Sequence, residues 1–183
     1  VSVAGTEETR QIGIVDWVAG VPLSEILQDD PSQTRIRSTF RRLGSLMANF
    51  HLASKSWKPK RGFVRHSWDI EGFVGEKPFW GKFWELGASD KETRKRLAAI
   101  KNQIQNLLSH LPQNTNCFGM IHADMHLNNV LKDGDRLNVI DFDDAGYGWH
   151  AYDLAVGIYN LLLNPTLRVH FELVRSAMAE GYL

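Results

Sequence analysis

The residues best suited to chemistry fall in two short polar runs, His122-Ala-Asp124-Met-His126-Leu-Asn128-Asn129 and Asp141-Phe-Asp143-Asp144. Both interrupt apolar surroundings. Between them, Asn129 to Leu131 and Leu137 to Phe142 read as strands, and Lys132-Asp-Gly-Asp135 supplies a turn. A hairpin brings its two ends together, so Asn129 and Asp141 are predicted to be neighbours. Phosphoryl transfer needs these residue types. A carboxylate must accept or steer the proton of the attacking hydroxyl, and Asp124 at the loop apex is placed to do so. Mg²⁺ is a hard ion that takes oxygen ligands, which suits the amide oxygen of Asn129 and the carboxylate of Asp141. A second reading starts from the alternation of His122, Asp124 and His126, which would share one face of an extended segment and form the zinc site of a metallohydrolase. That reading leaves Asn129, the hairpin and Asp141 without a role.

The elements that must hold these runs are mostly helical. From Ile36 the apolar residues Ile36, Phe40, Leu43, Leu46, Met47 and Phe50 make a helical stripe. Ser89-Asp-Lys-Glu92 is a capping-box pattern, followed by a second stripe of Leu97, Ile100, Ile104, Leu107 and Leu111 that Pro112 ends. Phe118 to Ile121 reads as a strand. Helices are predicted over about Tyr152 to Leu163 and Thr166 to Ala179, divided by Asn164-Pro165. Ile12 to Val18 reads as a strand, and Ser24 as the N-cap of a short helix after Gly20-Val-Pro22. Residues 57–87 lack periodicity but are rich in Trp and Phe, which predicts an ordered, irregular insertion with short helices. The fold class is therefore α+β, mostly α, with a small β-hairpin carrying the catalytic and metal residues.

Bulk composition narrows the function. The 183 residues suffice for one substantial core. Lys plus Arg (21) equals Asp plus Glu (21), so no net field draws the chain to nucleic acid or to an anionic membrane. The longest apolar stretch, around Leu154 to Leu163, is too short and interrupted to span a bilayer. No signal peptide is visible, and the single cysteine, Cys117, forms no intrachain disulfide, so a cytoplasmic location is expected. Cys117 itself reads as a small packing residue.

The motifs His122-Ala-Asp124-Met-His126-Leu-Asn128-Asn129-Val-Leu131, Val139-Ile-Asp141-Phe-Asp-Asp-Ala-Gly and Asp153-Leu-Ala resemble the aminoglycoside phosphotransferase and choline kinase group, small-molecule kinases with a protein-kinase-like fold. The resemblance implies ATP and Mg²⁺ as cofactors, Asp124 as the catalytic carboxylate, and Asn129 and Asp141 as metal ligands. It further implies that His122 is a structural group and that Asp153 is a buried acid bracing the loop. Ala123 and Asp143 stand where protein kinases usually carry Arg and Gly, which favours the small-molecule branch. Leu127 and Asn128 depart from the Pro-Gly often found there. By the same resemblance, residues 1–23 are the last strand of an N-terminal lobe and a hinge, and residues 24–183 a helical C-terminal lobe. That lobe holds the 57–87 insertion and the 117–148 catalytic loop and metal hairpin. The hinge main chain at Asp16, Trp17 and Val18 would meet adenine, with Leu131 and Ile140 as the apolar floor under the base.

No glycine-rich loop and no Val-Ala-Ile-Lys-like strand precedes the hinge segment, and the family usually continues past Leu183. The ATP lobe is thus expected to be essentially absent and this chain alone weak or inactive. The alternative is a non-catalytic kinase-like binding module. The acceptor is expected to be a small, amine-bearing alcohol: an aminoglycoside, an amino alcohol or a hydroxy amino acid. Asp143 and Asp144 either attract that amine or cap a turn before Gly146. The aromatic residues of the insertion, Trp80 and Trp84 among them, form either a cage for it or a satellite core. His126 either faces the acceptor or packs.

Overall fold

A computed structural model of the chain describes residues 14–87, 90–163 and 165–183. Helix α1 (Leu23–Asp29) leads into α2 (Gln33–Ser56), the central element. Ser32 caps α2 by accepting a hydrogen bond from the Arg35 N–H at 3.3 Å. The predicted stripe then turns inward, with Ile36, Phe40, Leu43 and Met47 fully buried. Each such side chain contributes roughly 1.5–3 kcal/mol by leaving water. Their partners come from α5 (His150–Leu162), the short α6 (Pro165–Arg168), α7 (Phe171–Tyr182) and the loop residues Met125 and Leu127.

Helices α2 and α7 cross at backbone contact. A Cβ on Gly44 would run into the Met178 carbonyl, and one on Gly181 into the Arg41 carbonyl. Only glycine on both sides permits that approach.

The strands form two small sheets. In one, β1 (Val21–Pro22), β4 (Val130–Asp133) and β5 (Arg136–Val139) lie in that order, all antiparallel. Pairing runs from Val130↔Val139 to Asp133↔Arg136, and Gly134 closes the turn at φ +53°. In the other, β6 (Gly146–Trp149) sits between β2 (Ser67–Trp68) and β3 (Phe118–Ile121). The insertion contributes β2, α3 (Ile70–Val74) and a 3₁₀ turn at Phe83–Glu85 that leans on α4 (Lys91–Ser109).

Several expectations need correction. Residues 14–18 of the predicted 12–18 strand are not extended into any sheet, and Ile12 and Gly13 lie outside the described residues. Ile14, Val15 and Trp17 are each about nine-tenths exposed or more, because the first pairing with β4 begins only at Val21. Ser24 is not a cap: Pro22 holds that position, and the Ser24 N–H reaches the Leu127 carbonyl at 3.4 Å. The helix expected over 166–179 is two helices, because the chain turns at Val169-His170, where the His170 N–H closes on the Leu167 carbonyl at 2.9 Å. Ser89 of the capping box lies outside the described residues; Asp90 is the observed cap, accepting from the Thr93 N–H at 2.8 Å. The α4 stripe forms but stays half exposed, with Leu107 68% accessible. Among the described residues no helix is long and apolar enough to cross a membrane.

Candidate active site

Strand β3 ends at Ile121, and the chain then turns sharply inward. His122 is fully buried and Ala123 sits at φ +66°, a conformation that costs an L-residue roughly 1–2 kcal/mol. Asp153 on α5 holds the turn. Its carboxylate is inaccessible to solvent and accepts the N–H groups of His122 (3.0 Å) and Ala123 (2.7 Å). The same carboxylate lies 2.8 Å from Nε2 of His51, whose Nδ1 is 2.8 Å from the Tyr182 hydroxyl. With Nε2–H donating to the carboxylate, Nδ1 of His51 is left to pair with the phenol. Helices α2, α5 and α7 thus converge on one loop.

His122 spans the gap from loop to hairpin. Its Nε2 lies 3.0 Å from the Ile140 carbonyl and its Nδ1 3.3 Å from the Asp124 N–H, so the first nitrogen donates and the second accepts. Neither nitrogen has a lone pair left for a metal. Among the described residues no group of three or more His, Cys, Asp or Glu is arranged to hold one. The zinc reading of His122, Asp124 and His126 is corrected on that ground: His122 faces the hairpin, whereas Nε2 of His126 faces Asp124 at 3.5 Å.

Asp124 is partly open to solvent, and Asn129 fixes it. The Asn129 Nδ2 donates to Oδ2 of Asp124 at 2.9 Å and to its carbonyl at 3.0 Å, which leaves the amide oxygen as the atom available to a hard cation. The Asn129 carbonyl accepts from the Ile140 N–H at 3.0 Å, bringing Asp141 alongside as the hairpin required. Asp141 is exposed and, like Ala123, left-handed, at φ +64°. Asp144 completes the acidic floor. Partial burial raises its pKa, and the charges of Asp124 and Asp141 push it further the same way, with His66 opposing them. The charges of Asp124, Asp141 and Asp143 all bear on Asp144, and an amide oxygen plus a carboxylate suits Mg²⁺.

A cavity of ≈ 300 Å³ opens beside Asp124 and Asp144. Its walls are Trp68, Trp80, Tyr152 and Tyr159, with His126 at the rim. Trp68 stacks on Trp80 at 6.2 Å and on Tyr152 at 5.8 Å. Burial, followed by the nearby Asp144 and Asp124, raises the Tyr152 pKa to about 12, so its hydroxyl keeps its proton at neutral pH. A hollow of ≈ 350 Å³ beside Arg41, Ser45 and Glu180 is as roomy but has no such pairing of acid and aromatic groups.

The structure does not bring every predicted residue here. Trp84 packs edge-on to Phe83 and lies 5.7 Å under the Lys101 ammonium, away from the cavity. Asp143 is exposed and does not line it. Asp16 and Trp17 are exposed in the segment before β1, and Val18 is half-buried; Leu131 is buried on β4, and Ile140 half-buried just after β5. Trp68 belongs to the aromatic stretch read as a candidate cage, and Tyr152 and Tyr159 are additions. The two tyrosines and Val156 recur at helical spacing on one face of α5, and Leu163 follows just past its end, a signal readable in the sequence.

The sequence model of the APH phosphotransferase enzyme family matches residues 3–172. The chain belongs to this family. Among its phosphotransferase relatives, amicoumacin kinase of Bacillus subtilis (strain 168) is 29% identical over 129 residues, which is 70% of this chain and 35% of that protein. Homoserine kinase of Sinorhizobium medicae (strain WSM419) is 30% identical over 154 residues, 76% of this chain and 44% of the other. Among solved structures, a microcompartment-associated aminopropanol kinase superposes with a TM-score of 0.66 at 31% identity, covering 80% of this chain and 45% of that one. The amicoumacin kinase hAmiN, solved with AMP-PNP, Ca²⁺ and Ami, shares the fold with a TM-score of 0.64 at 23% identity. This phosphotransferase-family chain therefore spans less than half the length of these relatives. Its fold is α+β, mostly helical and kinase-like.

Proposed function

We propose that this chain carries the acceptor and metal side of an ATP- and Mg²⁺-dependent kinase that phosphorylates a hydroxyl of a small, amine-bearing molecule. The observation that carries the reading is Asn129, whose side-chain amide holds the Asp124 carboxylate while its main-chain carbonyl accepts the N–H of Ile140, the residue before Asp141. In this reading residues 24–183 are the C-terminal lobe. Asp16, Trp17 and Val18 offer the main chain that meets adenine, above Leu131 and Ile140.

Asn129 and Asp141 hold the Mg²⁺, which when bound offsets charge on the phosphate oxygens. Asp124 accepts the proton as the acceptor oxygen bonds to the terminal phosphorus and ADP departs. His122 and Asp153 do not touch the reactants; they keep Asp124 on its left-handed turn. Asp144 receives the ammonium group, and the rings of Trp68, Trp80 and Tyr152 surround it, because aromatic faces attract a desolvated cation. The aminopropanol and homoserine named for the relatives carry an amine and a hydroxyl on a short chain, in keeping with a cavity of ≈ 300 Å³.

The test is transfer of labelled phosphate from ATP to a panel of amino alcohols, hydroxy amino acids and aminoglycosides by the full-length protein. Turnover is expected for short amino alcohols or hydroxy amino acids. Asp124→Asn should lower kcat by at least about 10²-fold while leaving the melting temperature unchanged. Retention of most activity in that variant removes Asp124 from its role.

A further inference from the structure

The acidic loop after β5 is held from outside the site. Three successive carbonyls, of Phe142, Asp143 and Asp144, all turn toward residues 65–68 of the insertion. Arg65 donates from Nη1 to the Asp143 carbonyl at 2.9 Å and from Nη2 to the Phe142 carbonyl at 3.2 Å. Nε2 of His66 lies 3.1 Å from the Asp144 carbonyl, and the Trp68 indole N–H donates to that same oxygen at 2.8 Å. Three residues further on, the Tyr147 N–H returns the contact by donating to the His66 carbonyl at 3.0 Å, and β2 then pairs with β6.

This loop needs such support. Asp141 is left-handed at φ +64°, and Asp124, Asp141, Asp143 and Asp144 bear like charges at close quarters. Strain and repulsion both favour opening, whereas the hairpin holds only the loop's start. From the donors' side, Arg65 brings a fixed cation to the back of the loop, and its planar fork suits two neighbouring carbonyl oxygens in a way that a lysine does not.

We infer that Arg65, with His66 and Trp68, is a positioning clamp that holds the Asp141–Asp144 loop in the shape that presents its carboxylates. The clamp's consequence for metal uptake rests on the reading of Asp141 as a ligand. The clamp itself does not. Arg65 is solvent-exposed and outside the core clusters, so replacing it leaves folding intact.

The experiment compares wild type with Arg65→Gln and Arg65→Lys in two measurements. Amide hydrogen exchange over residues 141–147 in metal-free protein reads the loop directly, with far-UV circular dichroism as the fold control. Titration with Mn²⁺ followed by electron paramagnetic resonance reads cation uptake. Arg65→Gln is expected to speed exchange at Ala145 and Tyr147 and to weaken Mn²⁺ binding by about three- to tenfold, the scale of one or two lost hydrogen bonds. Arg65→Lys should fall between. Wild-type exchange in Arg65→Gln overturns the clamp, as does complete rescue of both readouts by Arg65→Lys, which would reduce it to charge alone. Faster exchange in Arg65→Gln with no Mn²⁺ uptake by wild type supports the clamp and overturns Asp141 as a ligand.

Discussion

Asp153 shows how much can rest on one carboxylate. It is sealed from solvent and accepts two backbone N–H groups and a histidine N–H. Asparagine at that position would keep one acceptor oxygen but turn an NH₂ group toward an N–H donor. Asp153→Asn is therefore expected to lose roughly 3–5 kcal/mol in urea unfolding, the scale seen when one partner of a buried charged network is removed. The fall should be accompanied by loss of the left-handed turn at Ala123. The two motifs around it were legible in the sequence, because residue types fix the chemistry: only an amide and acids at hairpin spacing converge as Asn129, Asp124 and Asp141 do. Arg65 was not legible. It acts on carbonyl oxygens, which every residue has, so nothing in the sequence distinguishes its partners.

At the scale of elements, the α2–α7 crossing leaves no room for a side chain at Gly44 or Gly181. Gly44→Ala or Gly181→Ala must push the helices apart, with an expected loss of about 1–3 kcal/mol by thermal or chemical denaturation. The two share one interface, so the double variant should lose less than the sum of the singles. The α2 stripe and the β4–β5 hairpin could be read from periodicity and turn residues, since local rules and tertiary packing agree there. Strand β6 could not. Its Gly146 and Gly148 argue against a strand, yet a Cβ at 148 would collide with Ile121 and Trp68, and one at 146 with His66, so close packing between β2 and β3 outweighs propensity. The segment before β1 failed in the opposite sense: its β-branched and aromatic residues favour extension, but the pairing with β4 starts only at Val21.

For the whole molecule, pH sensitivity is expected from His150. This ring stacks on His51 at 4.3 Å and is buried, and its Nε2 has no partner among the described residues. Burial, followed by the charge of His51, lowers its pKa from 6.5 to about 4. The folded protein thus binds fewer protons than the unfolded chain between those values, so stability is full above about pH 6.5 and declines as pH falls toward 4. The slope from this one group is at most about 1.4 kcal/mol per pH unit. Melting temperatures measured from pH 7 down to 4.5 should fall for wild type and fall less for His150→Gln.

Trp68 looks two ways, its N–H turned to the Asp144 carbonyl and its ring face to the cavity, whereas Trp80 and Tyr159 on the same walls are 71% and 59% accessible and make no such bond. Under the proposed reading, in which this cavity takes the acceptor, residues 80 and 159 can be traded to change the choice of acceptor with little else disturbed. Under the same reading, exchange at 68 would unsettle the acidic loop along with the acceptor cavity.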